Sequence, residues 1–292
     1  MIKELIASMR PKQWYKNLVI FIGIVFSLNL LNFNLWANSI GAFAIFCAVS
    51  GSIYIINDIL DIKKDKNHPK KCLRPIASGK LKISYAILSV VILLIISLIF
   101  SYLINPLFLL AAISFFILIL VYSLFLKQLI IVDIMVISTG FVIRAIAGCL
   151  AVGVLISPWL IICAFLLALF LGIGKRRHEL VLLGDNAGNH RKILDGYSTQ
   201  MLDQMINITT SALIMSYSLY TFFTGKIFIM LTIPFAFYGL FRYIYLVHTE
   251  NFGGEPEMLF KDKGMLLSII LWILLVIIVL YGSSVFRFLG VF

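Results

Sequence analysis

Four side chains with oxygen ligands follow one another at helical spacing near the end of an apolar run: Asn57, Asp58, Asp61 and Asp65. On a helix, aspartates at positions i, i+3 and i+7 share one face. Carboxylates held this close repel one another unless a cation compensates them. Clustered oxygen ligands suit Mg²⁺, which usually keeps several waters and binds substrate phosphates. We therefore expect a magnesium site here, the alternative being a solvated helix end whose carboxylates pair with the lysines that follow.

Two basic segments could bind the phosphates of a substrate beside such a metal. One is the loop after the aspartates, where Ser78-Gly79 precede the next apolar run and backbone N–H groups at the helix start could hold an anion. The other follows the sixth apolar run. Taken alone, the first loop is better explained as a cytoplasmic loop rich in positive charge with Ser78 as a helix N-cap, and the same kind of loop is the alternative for the second. Carboxylates beside cations nevertheless favour a diphosphate substrate. The candidate residues in these two segments are Lys71, Arg74, Lys175, Arg176, Glu179 and Arg191.

Further candidates lie before the first apolar run and around the fifth. Lys16 belongs to a basic, aromatic segment that could anchor at lipid headgroups or hold an anionic lipid head. Tyr122 and Lys127 end the fourth run, and Asp133 and Arg144 lie inside the fifth, 11 residues apart and on one helix face. Ionisable residues within a span indicate function by default, and structural charge pairing is the alternative.

The composition identifies the elements that must position these residues. The 292-residue chain is 62% hydrophobic and 13% charged, whereas soluble domains contain about 25% charged residues. This excludes a disordered chain, a disulfide scaffold and an ordinary cytosolic globule, and it predicts an all-α, polytopic membrane protein. Each span needs about 20 apolar residues. We predict a single transmembrane catalytic domain, 1–292, with a bundle of about nine helices at 18–36, 38–56, 83–104, 107–126, 129–153, 157–173, 204–224, 227–247 and 264–283.

The charge distribution predicts the topology of this bundle. The net charge of +11 is concentrated in a few short loops, which fits membrane topology and an anionic substrate better than nucleic acid. With nine spans, most Lys and Arg residues fall on one side, so the positive-inside rule places the N-terminus in the cytoplasm. The acidic residues lie on that same side. We therefore expect the active site at the cytoplasmic face, with neither a zinc site nor a disulfide framework among the four cysteines.

The aspartate pattern resembles that of the UbiA superfamily of intramembrane prenyltransferases. That family carries NDxxDxxxD after the second of nine helices, and Asn57, Asp58, Asp61 and Asp65 match the pattern position for position. The resemblance implies a UbiA-like bundle in which these four residues hold Mg²⁺. It also implies that Asp58 and Asp61 are catalytic, because the metal they hold neutralises a diphosphate leaving group.

Within the superfamily, the chain is most similar to the decaprenyl-phosphate phosphoribosyltransferases. Their RPxQWxKN, HPxKxxRPIA and VDIxxVSxGFxIRAIAG patterns resemble residues 10–17, 68–77 and 132–148, and their GKRxxEL and GEPE elements resemble residues 174–180 and 254–257. The resemblance implies that 5-phosphoribosyl 1-diphosphate is the donor and that a polyprenyl phosphate in a prokaryotic plasma membrane is the acceptor. The product would be a lipid-linked cell-wall precursor. Lys175, Arg176 and Arg191 are then candidates for the 5-phosphate, and Lys16, Lys71, Arg74 and Lys127 for the lipid phosphate or diphosphate.

Two departures and three rival functions bear on this interpretation. Cys72 stands where a basic residue is expected, and the loop after the sixth run has no DxxxD motif of the kind that prenyl diphosphate enzymes carry. The main alternative remains a UbiA-type enzyme that moves a prenyl group from a prenyl diphosphate to an aromatic or other acceptor. A transporter that uses Asp133 and Arg144 as a relay is a second alternative, and a non-catalytic membrane scaffold is a third.

Overall fold

A computed structural model describes residues 2–184, 192–249 and 262–288 of the chain. Within these ranges every regular element is a helix, and no described residue belongs to a strand. The predicted all-α class is therefore confirmed. A helix satisfies its own backbone hydrogen bonds, which is the requirement that lipid imposes on an apolar segment.

Eleven α-helices make up the described chain, and the long ones coincide with the apolar runs. They are α1 Ile2–Ser8, α2 Ile22–Phe26, α3 Phe33–Leu60, α4 Ile62–Lys66, α5 Ile83–Ile104, α6 Pro106–Leu124, α7 Val132–Ala151, α8 Pro158–Leu183, α9 Thr199–Phe223, α10 Ile233–Thr249 and α11 Lys263–Phe288. Short 3₁₀ helices join some of them: Pro11–Phe21, Lys71–Leu73, Leu126–Gln128, Lys192–Gly196 and Ile227–Thr232.

Seven helical segments in the described ranges are long and apolar enough to cross a membrane. They are α3, α5, α6, α7, α8, the segment Ile227–Thr249 and the segment Lys263–Gly282. Large apolar side chains on α5 and α6 remain exposed, among them Ile95 and Leu110, as a surface in contact with lipid requires. The multi-pass membrane character is confirmed, whereas the number of nine spans and the side of the N-terminus stay predictions.

Two of the nine expected spans are not among the seven candidates. The expected span 204–224 coincides, except for its last residue, with part of α9, a 25-residue helix whose first turns carry polar residues such as Thr199, Asp203 and Asn207. The expected span 18–36 is interrupted, because a 3₁₀ helix and the five-residue α2 occupy residues 11–26 and the next helix begins at Phe33.

The interruption of the first expected span has a local cause. Leu28 has a left-handed φ of 62°, a conformation that costs an L-residue about 1–2 kcal/mol and ends a right-handed helix. The amide of Asn29 donates to the backbone oxygen of Ser27 at 3.1 Å. Asn and Ser side chains that bond nearby backbone compete with helix formation. A single helix across 18–36 was therefore a wrong prediction.

The structure divides into two compact units. The first comprises the chain up to Leu126 together with Gly140–Ile156, and the second comprises Lys127–Thr139 together with the described residues from Ser157 onward. α7 thus contributes its first part to the second unit and the remainder to the first. In the first unit, Phe46 packs between Phe108 and Phe115 at ring-centroid distances of 5.8 and 5.2 Å. The single catalytic domain stays a prediction.

The core of the second unit is built around the helix that carries the basic segment. Phe170 of α8 packs against Tyr243 of α10 with ring centroids 4.8 Å apart, and Ile173 and Leu246 are fully buried beside them. This packing fixes the C-terminal half of α8, in which the GKRxxEL residues lie.

Candidate active site

The aspartates lie where α3 passes into α4. α3 ends at Leu60, yet the N–H of Asp61 donates to the oxygen of Asn57 at 2.9 Å and the N–H of Asp65 donates to the oxygen of Asp61 at 2.8 Å. The helical course therefore continues through Asp61, which keeps Asp58, Asp61 and Asp65 in helical register along this stretch.

Two arginines pair with the buried members of this group. Asp58 and Asp65 are 2% and 3% exposed. Arg74 donates from Nη1 to Asp58 Oδ1 at 3.1 Å and to Asp65 Oδ2 at 2.6 Å. Arg10 donates from Nη2 to the same Oδ1 of Asp58 at 2.6 Å. Charge-assisted hydrogen bonds of this length are the strong ones in proteins, so the compensating cations of this cluster are guanidinium groups.

Arg10 reaches the cluster from a strained backbone position. It precedes the 3₁₀ helix Pro11–Phe21 and has a left-handed φ of 54°. Its guanidinium lies over the ring of Tyr54, 4.8 Å from the ring centroid. Backbone outliers of this kind cost about 1–3 kcal/mol and concentrate at functional sites. Arg10 was not among the residues predicted to bind substrate.

Asn57 and Asp61 occupy different environments. Asn57 donates from Nδ2 to the hydroxyl of Ser123 at 3.1 Å, which fixes its amide. The Asp61 side chain is 34% exposed and lies 3.8 Å from the ammonium of Lys64, itself 85% exposed, an exposed pair that contributes little. Asp61 is thus the most accessible carboxylate of the three.

The donor set fits Mg²⁺ by its chemistry, since carboxylate and amide oxygens are the hard ligands that this ion prefers. In the structure, however, Asp58 and Asp65 form ion pairs with Arg10 and Arg74. Among the described residues, no three His, Cys, Asp or Glu side chains stand in a group that could hold a metal ion. Asn57, Asp58, Asp61 and Asp65 therefore remain predicted ligands.

Besides Arg74 and Arg144, three of the predicted substrate residues lie in the first unit. Lys71 begins the 3₁₀ helix Lys71–Leu73 and is exposed, three residues before Arg74. Lys16 is half-buried in the 3₁₀ helix Pro11–Phe21, and Tyr122 is half-buried in the last turn of α6. The structure thus describes Lys16, Lys71, Arg74 and Tyr122 in the same unit as the aspartates.

In the second unit, Arg176 is buried in an ion-pair network. It is 3% exposed, and its Nε donates to Asp133 Oδ2 at 2.8 Å while its Nη1 donates to Glu179 Oε2 at 2.6 Å. Asp133 is fully buried. The charge-pairing explanation therefore holds for Asp133 and Arg176, and a phosphate contact by Arg176 would compete with two carboxylates.

Tyr197 completes this network. Its hydroxyl donates to Asp133 Oδ1 at 3.0 Å and accepts the N–H of Ile131 at 2.6 Å. Ile131 has a left-handed φ of 68°, a rare conformation for a β-branched residue. Burial raises the pKa of Tyr197 to about 12, so the hydroxyl keeps its proton and remains a donor. Tyr197 thereby holds the strained turn at the start of α7.

Two more of the predicted substrate residues, Lys127 and Lys175, lie in the second unit. Lys127 is half-buried in the 3₁₀ helix Leu126–Gln128, and Lys175 is half-buried beside Arg176 in α8. Arg191 and the GEPE element at 254–257 lie outside the described residues. Their roles stay predictions.

Arg144 is the buried cation of the first unit. It is 7% exposed. Its Nε donates to Asn17 Oδ1 at 2.8 Å, and its guanidinium lies over the rings of Phe115 and Phe141, 4.4 and 5.0 Å from their centroids. Asp133 and Arg144 have the spacing of one helix face, but they do not pair with each other. Asp133 binds Arg176 and Arg144 binds Asn17.

The sequence model of the UbiA prenyltransferase family matches residues 18–261. The chain belongs to this UbiA family. The match spans the aspartates, α7 and the basic segment of α8, and it makes the protein a membrane-embedded transferase. The predicted recognition and the prediction that the protein is an enzyme are thereby confirmed.

Relatives and solved structures agree with the UbiA assignment. The decaprenyl-phosphate phosphoribosyltransferase of Corynebacterium glutamicum is 29% identical over 97% of this chain and 88% of its own length. That of Mycobacterium tuberculosis is 28% identical over 94% and 93%. A UbiA homologue from Archaeoglobus fulgidus, bound to DMAPP and Mg²⁺, superposes with a TM-score of 0.73 over 95% of this chain and 99% of the homologue, at 18% identity. The structural likeness shows the fold.

Sequence reasoning missed two side-chain contacts of this UbiA protein, those of Arg10 and Tyr197. The pairing of Arg10 with Asp58 joins residues 48 positions apart, and only the unusual Arg-Pro sequence before the first apolar run could have drawn attention to it. Tyr197 follows a polar loop and gave no signal. Both contacts are tertiary, so spacing along the chain could not reveal them.

Proposed function

We propose that this UbiA protein transfers a 5-phosphoribosyl group from 5-phosphoribosyl 1-diphosphate to a polyprenyl phosphate and releases diphosphate. One observation carries the choice of donor: the chain matches, over 94–97% of its length, relatives named decaprenyl-phosphate phosphoribosyltransferase. The cluster of Asp58, Asp65, Arg10 and Arg74 supports the proposal, because it combines carboxylates for a metal with cations for a diphosphate.

The bond changes of this reaction require little from the protein except position and charge. A phosphate oxygen of the lipid attacks C1 of the ribose, the bond from C1 to the diphosphate oxygen breaks, and diphosphate leaves with the electron pair. No proton is transferred, since both the nucleophile and the leaving group are anions. Positioning and electrostatic stabilisation therefore provide most of the catalysis.

We propose that the aspartate cluster of the first unit binds the diphosphate of the donor. Asn57, Asp58, Asp61 and Asp65 are the proposed ligands of Mg²⁺, which when bound neutralises charge on the leaving diphosphate. In this proposal Arg10 and Arg74, which bind these carboxylates in the structure, donate to diphosphate oxygens when the substrate is bound. The Mg²⁺ and DMAPP of the A. fulgidus homologue support a metal requirement.

The remaining candidates divide between the other phosphates. We assign Lys175 and Arg191 to the 5-phosphate of the donor, and Lys16, Lys71, Tyr122 and Lys127 to the lipid phosphate or diphosphate. Arg176 and Glu179 fit a positioning role, because Arg176 is held between Asp133 and Glu179 and fixes the end of α8 next to Lys175. The site faces the cytoplasm of a bacterial plasma membrane in this proposal.

The test uses purified protein with Mg²⁺ and a long-chain polyprenyl phosphate. In separate reactions, 5-phosphoribosyl 1-diphosphate is supplied, or a prenyl diphosphate with 4-hydroxybenzoate, and diphosphate release and lipid mass are followed. The proposal predicts a lipid heavier by one phosphoribosyl unit, formed with the first donor and lost in EDTA. Product only from the prenyl diphosphate would refute the choice of donor.

A matched pair of variants tests the aspartate assignment. Asp61→Asn removes one charge from the cluster and should abolish transfer, since its carboxylate is the accessible one. Asp195→Asn, at an exposed position of the 3₁₀ helix Lys192–Gly196, makes the same chemical change outside the cluster and should retain activity. Near-native turnover of Asp61→Asn at ordinary Mg²⁺ would remove Asp61 from the site.

A further inference from the structure

Arg144 has donors that its surroundings do not use. Its Nε is bonded to Asn17 and its faces are covered by Phe115 and Phe141. Within the described part of the chain, the bond from Nε to Asn17 is the side-chain hydrogen bond of this guanidinium, and no carboxylate lies in ion-pair distance of Nη1 or Nη2. Arginine does not shed its charge in proteins, and a buried charge without a counter-ion is costly. The arrangement lacks an anion.

The guanidinium is held in place by the fold of the first unit. Asn17, itself 1% exposed, donates from Nδ2 to the sulfur of Cys47 at 3.3 Å, so its oxygen is turned toward Arg144. A Cβ on Gly23 would meet backbone atoms of Gly148 and Cys149 at 2.5–2.7 Å. Because Gly23 and Gly148 have no Cβ, the chain that follows Asn17 can lie against α7 with backbone touching backbone. The donors of Arg144 are therefore oriented in advance of any ligand.

A polar series connects Arg144 with the aspartates. Tyr54 lies one helical turn before Asp58 in α3 and interacts electrostatically with Arg144. The guanidinium of Arg10 covers the Tyr54 ring and binds Asp58. Tyr54 and Arg10 thus link Arg144 to Asp58, which belongs to the proposed diphosphate site.

The surroundings select the kind of anion. Phenyl rings beside a guanidinium suit a phosphate joined to hydrocarbon, because a polyhydroxylated ribose with further phosphates would leave polar groups unpaired there. Arginine binds phosphate oxygens through two N–H groups at once. A polyprenyl phosphate meets both conditions, since its head is a phosphate monoester and its tail is apolar.

We propose that Nη1 and Nη2 of Arg144 bind the phosphate of the acceptor lipid and that Asn17 is the positioning residue that aims them. This inference rests on the proposed function for the identity of the lipid as acceptor. The binding site itself is defined without the reaction, as a site for a phosphate monoester with an apolar tail.

The experiment compares two probes that differ by one group. Dissociation constants of farnesyl phosphate and farnesol are measured on the full-length protein in detergent, with the donor absent, for the wild type, Arg144→Gln, Arg144→Lys and Asn17→Asp. The wild type should prefer the phosphate. Arg144→Gln should weaken farnesyl phosphate about ten- to a hundredfold and leave farnesol unchanged, and Arg144→Lys should weaken it less.

Asn17→Asp gives the sharpest outcome. It is isosteric and supplies an internal anion to Arg144, so it should raise the temperature of thermal unfolding while it lowers affinity for farnesyl phosphate. A residue with a purely structural role would not move these two quantities in opposite directions. Asn207→Asp, at an exposed position of α9, is the control and should change neither quantity.

Two results would overturn the inference. One is an unchanged preference for farnesyl phosphate over farnesol in both Arg144→Lys and Asn17→Asp. The other comes from a separate titration of Arg144→Gln with 5-phosphoribosyl 1-diphosphate. A loss of affinity for this donor, with farnesyl phosphate binding intact, would assign Arg144 to the donor. Because the probes are measured without donor, failure to form a phosphoribosyl lipid would refute the proposed function and leave the Arg144 site standing.

Discussion

The ion pair between Arg176 and Asp133 should be strongly coupled in a double-mutant cycle. The Nε and Oδ2 atoms are 2.8 Å apart, and the side chains are 4% and 0% exposed. At an effective dielectric constant of about 20, two unit charges at this distance attract by about 6 kcal/mol before desolvation is subtracted. Removing one partner of a buried pair typically costs about 3–5 kcal/mol, because the other charge is left uncompensated.

The variants Arg176→Gln and Asp133→Asn should lower the free energy of unfolding by different amounts. Arg176→Gln leaves the fully buried Asp133 without the cation it pairs with, and we expect a loss of about 3–5 kcal/mol in the free energy of unfolding. Asp133→Asn still accepts the hydrogen bond of Tyr197 and leaves Arg176 paired with Glu179, so we expect about 1–3 kcal/mol. The double variant removes one positive and one negative charge, so the network keeps the net charge of the wild type, and the loss in free energy of unfolding should fall short of the sum by about 2 kcal/mol.

The assay is reversible unfolding in mixed micelles, followed by the fluorescence of the four tryptophans. Lys64→Gln is the control, because Lys64 is 85% exposed and 3.8 Å from Asp61; it should cost less than about 1 kcal/mol. A coupling below about 0.5 kcal/mol between Arg176 and Asp133 would show that these charges are screened, and the positioning role of Arg176 would then fail.

Three further variants test other contacts. Arg74→Ala should destabilise the protein by about 3–5 kcal/mol, because it leaves Asp65 buried without its cation; thermal unfolding without Mg²⁺ measures this, and an unchanged midpoint would contradict it. Tyr197→Phe should cost about 1–3 kcal/mol, since the N–H of Ile131 loses its acceptor; faster hydrogen exchange at that amide is the readout, and wild-type protection would count against it. Gly148→Ala should prevent stable folding because its Cβ would collide with the backbone of residue 20, whereas Gly282→Ala, which has open space, should express normally; equal yields would disprove the close contact.

The sequence predicted most of the helices because lipid imposes a single requirement on a span: about 20 apolar residues that satisfy their own backbone. That requirement is visible in the sequence as an uninterrupted run of apolar residues, as in α5 and α6. The prediction failed for the first expected span, where the left-handed backbone of Leu28 and the side-chain hydrogen bond of Asn29 interrupt the helix. A count of hydrophobic residues detects neither of these two effects.

The candidate site was predictable in its residue types and less so in its pairings. The need for a cation beside Asp58 followed from repulsion between carboxylates, and the neighbouring lysines were the alternative source. The structure uses Arg10 and Arg74 instead, because Lys63 and Lys64 point to solvent. Similarly, Asp133 and Arg144 have the spacing of a shared face, yet only tertiary packing decides that Asp133 binds Arg176 and that Arg144 binds Asn17.

The pairing of Arg10 with Asp58 imposes an order on biosynthesis. The acceptor is made 48 residues after the arginine, which at about 5–20 residues per second is a delay of about 2–10 s. Throughout that interval Arg10 has no carboxylate at Asp58 to bind. The contact between Arg10 and Asp58 therefore forms only after the last turns of α3 have been made.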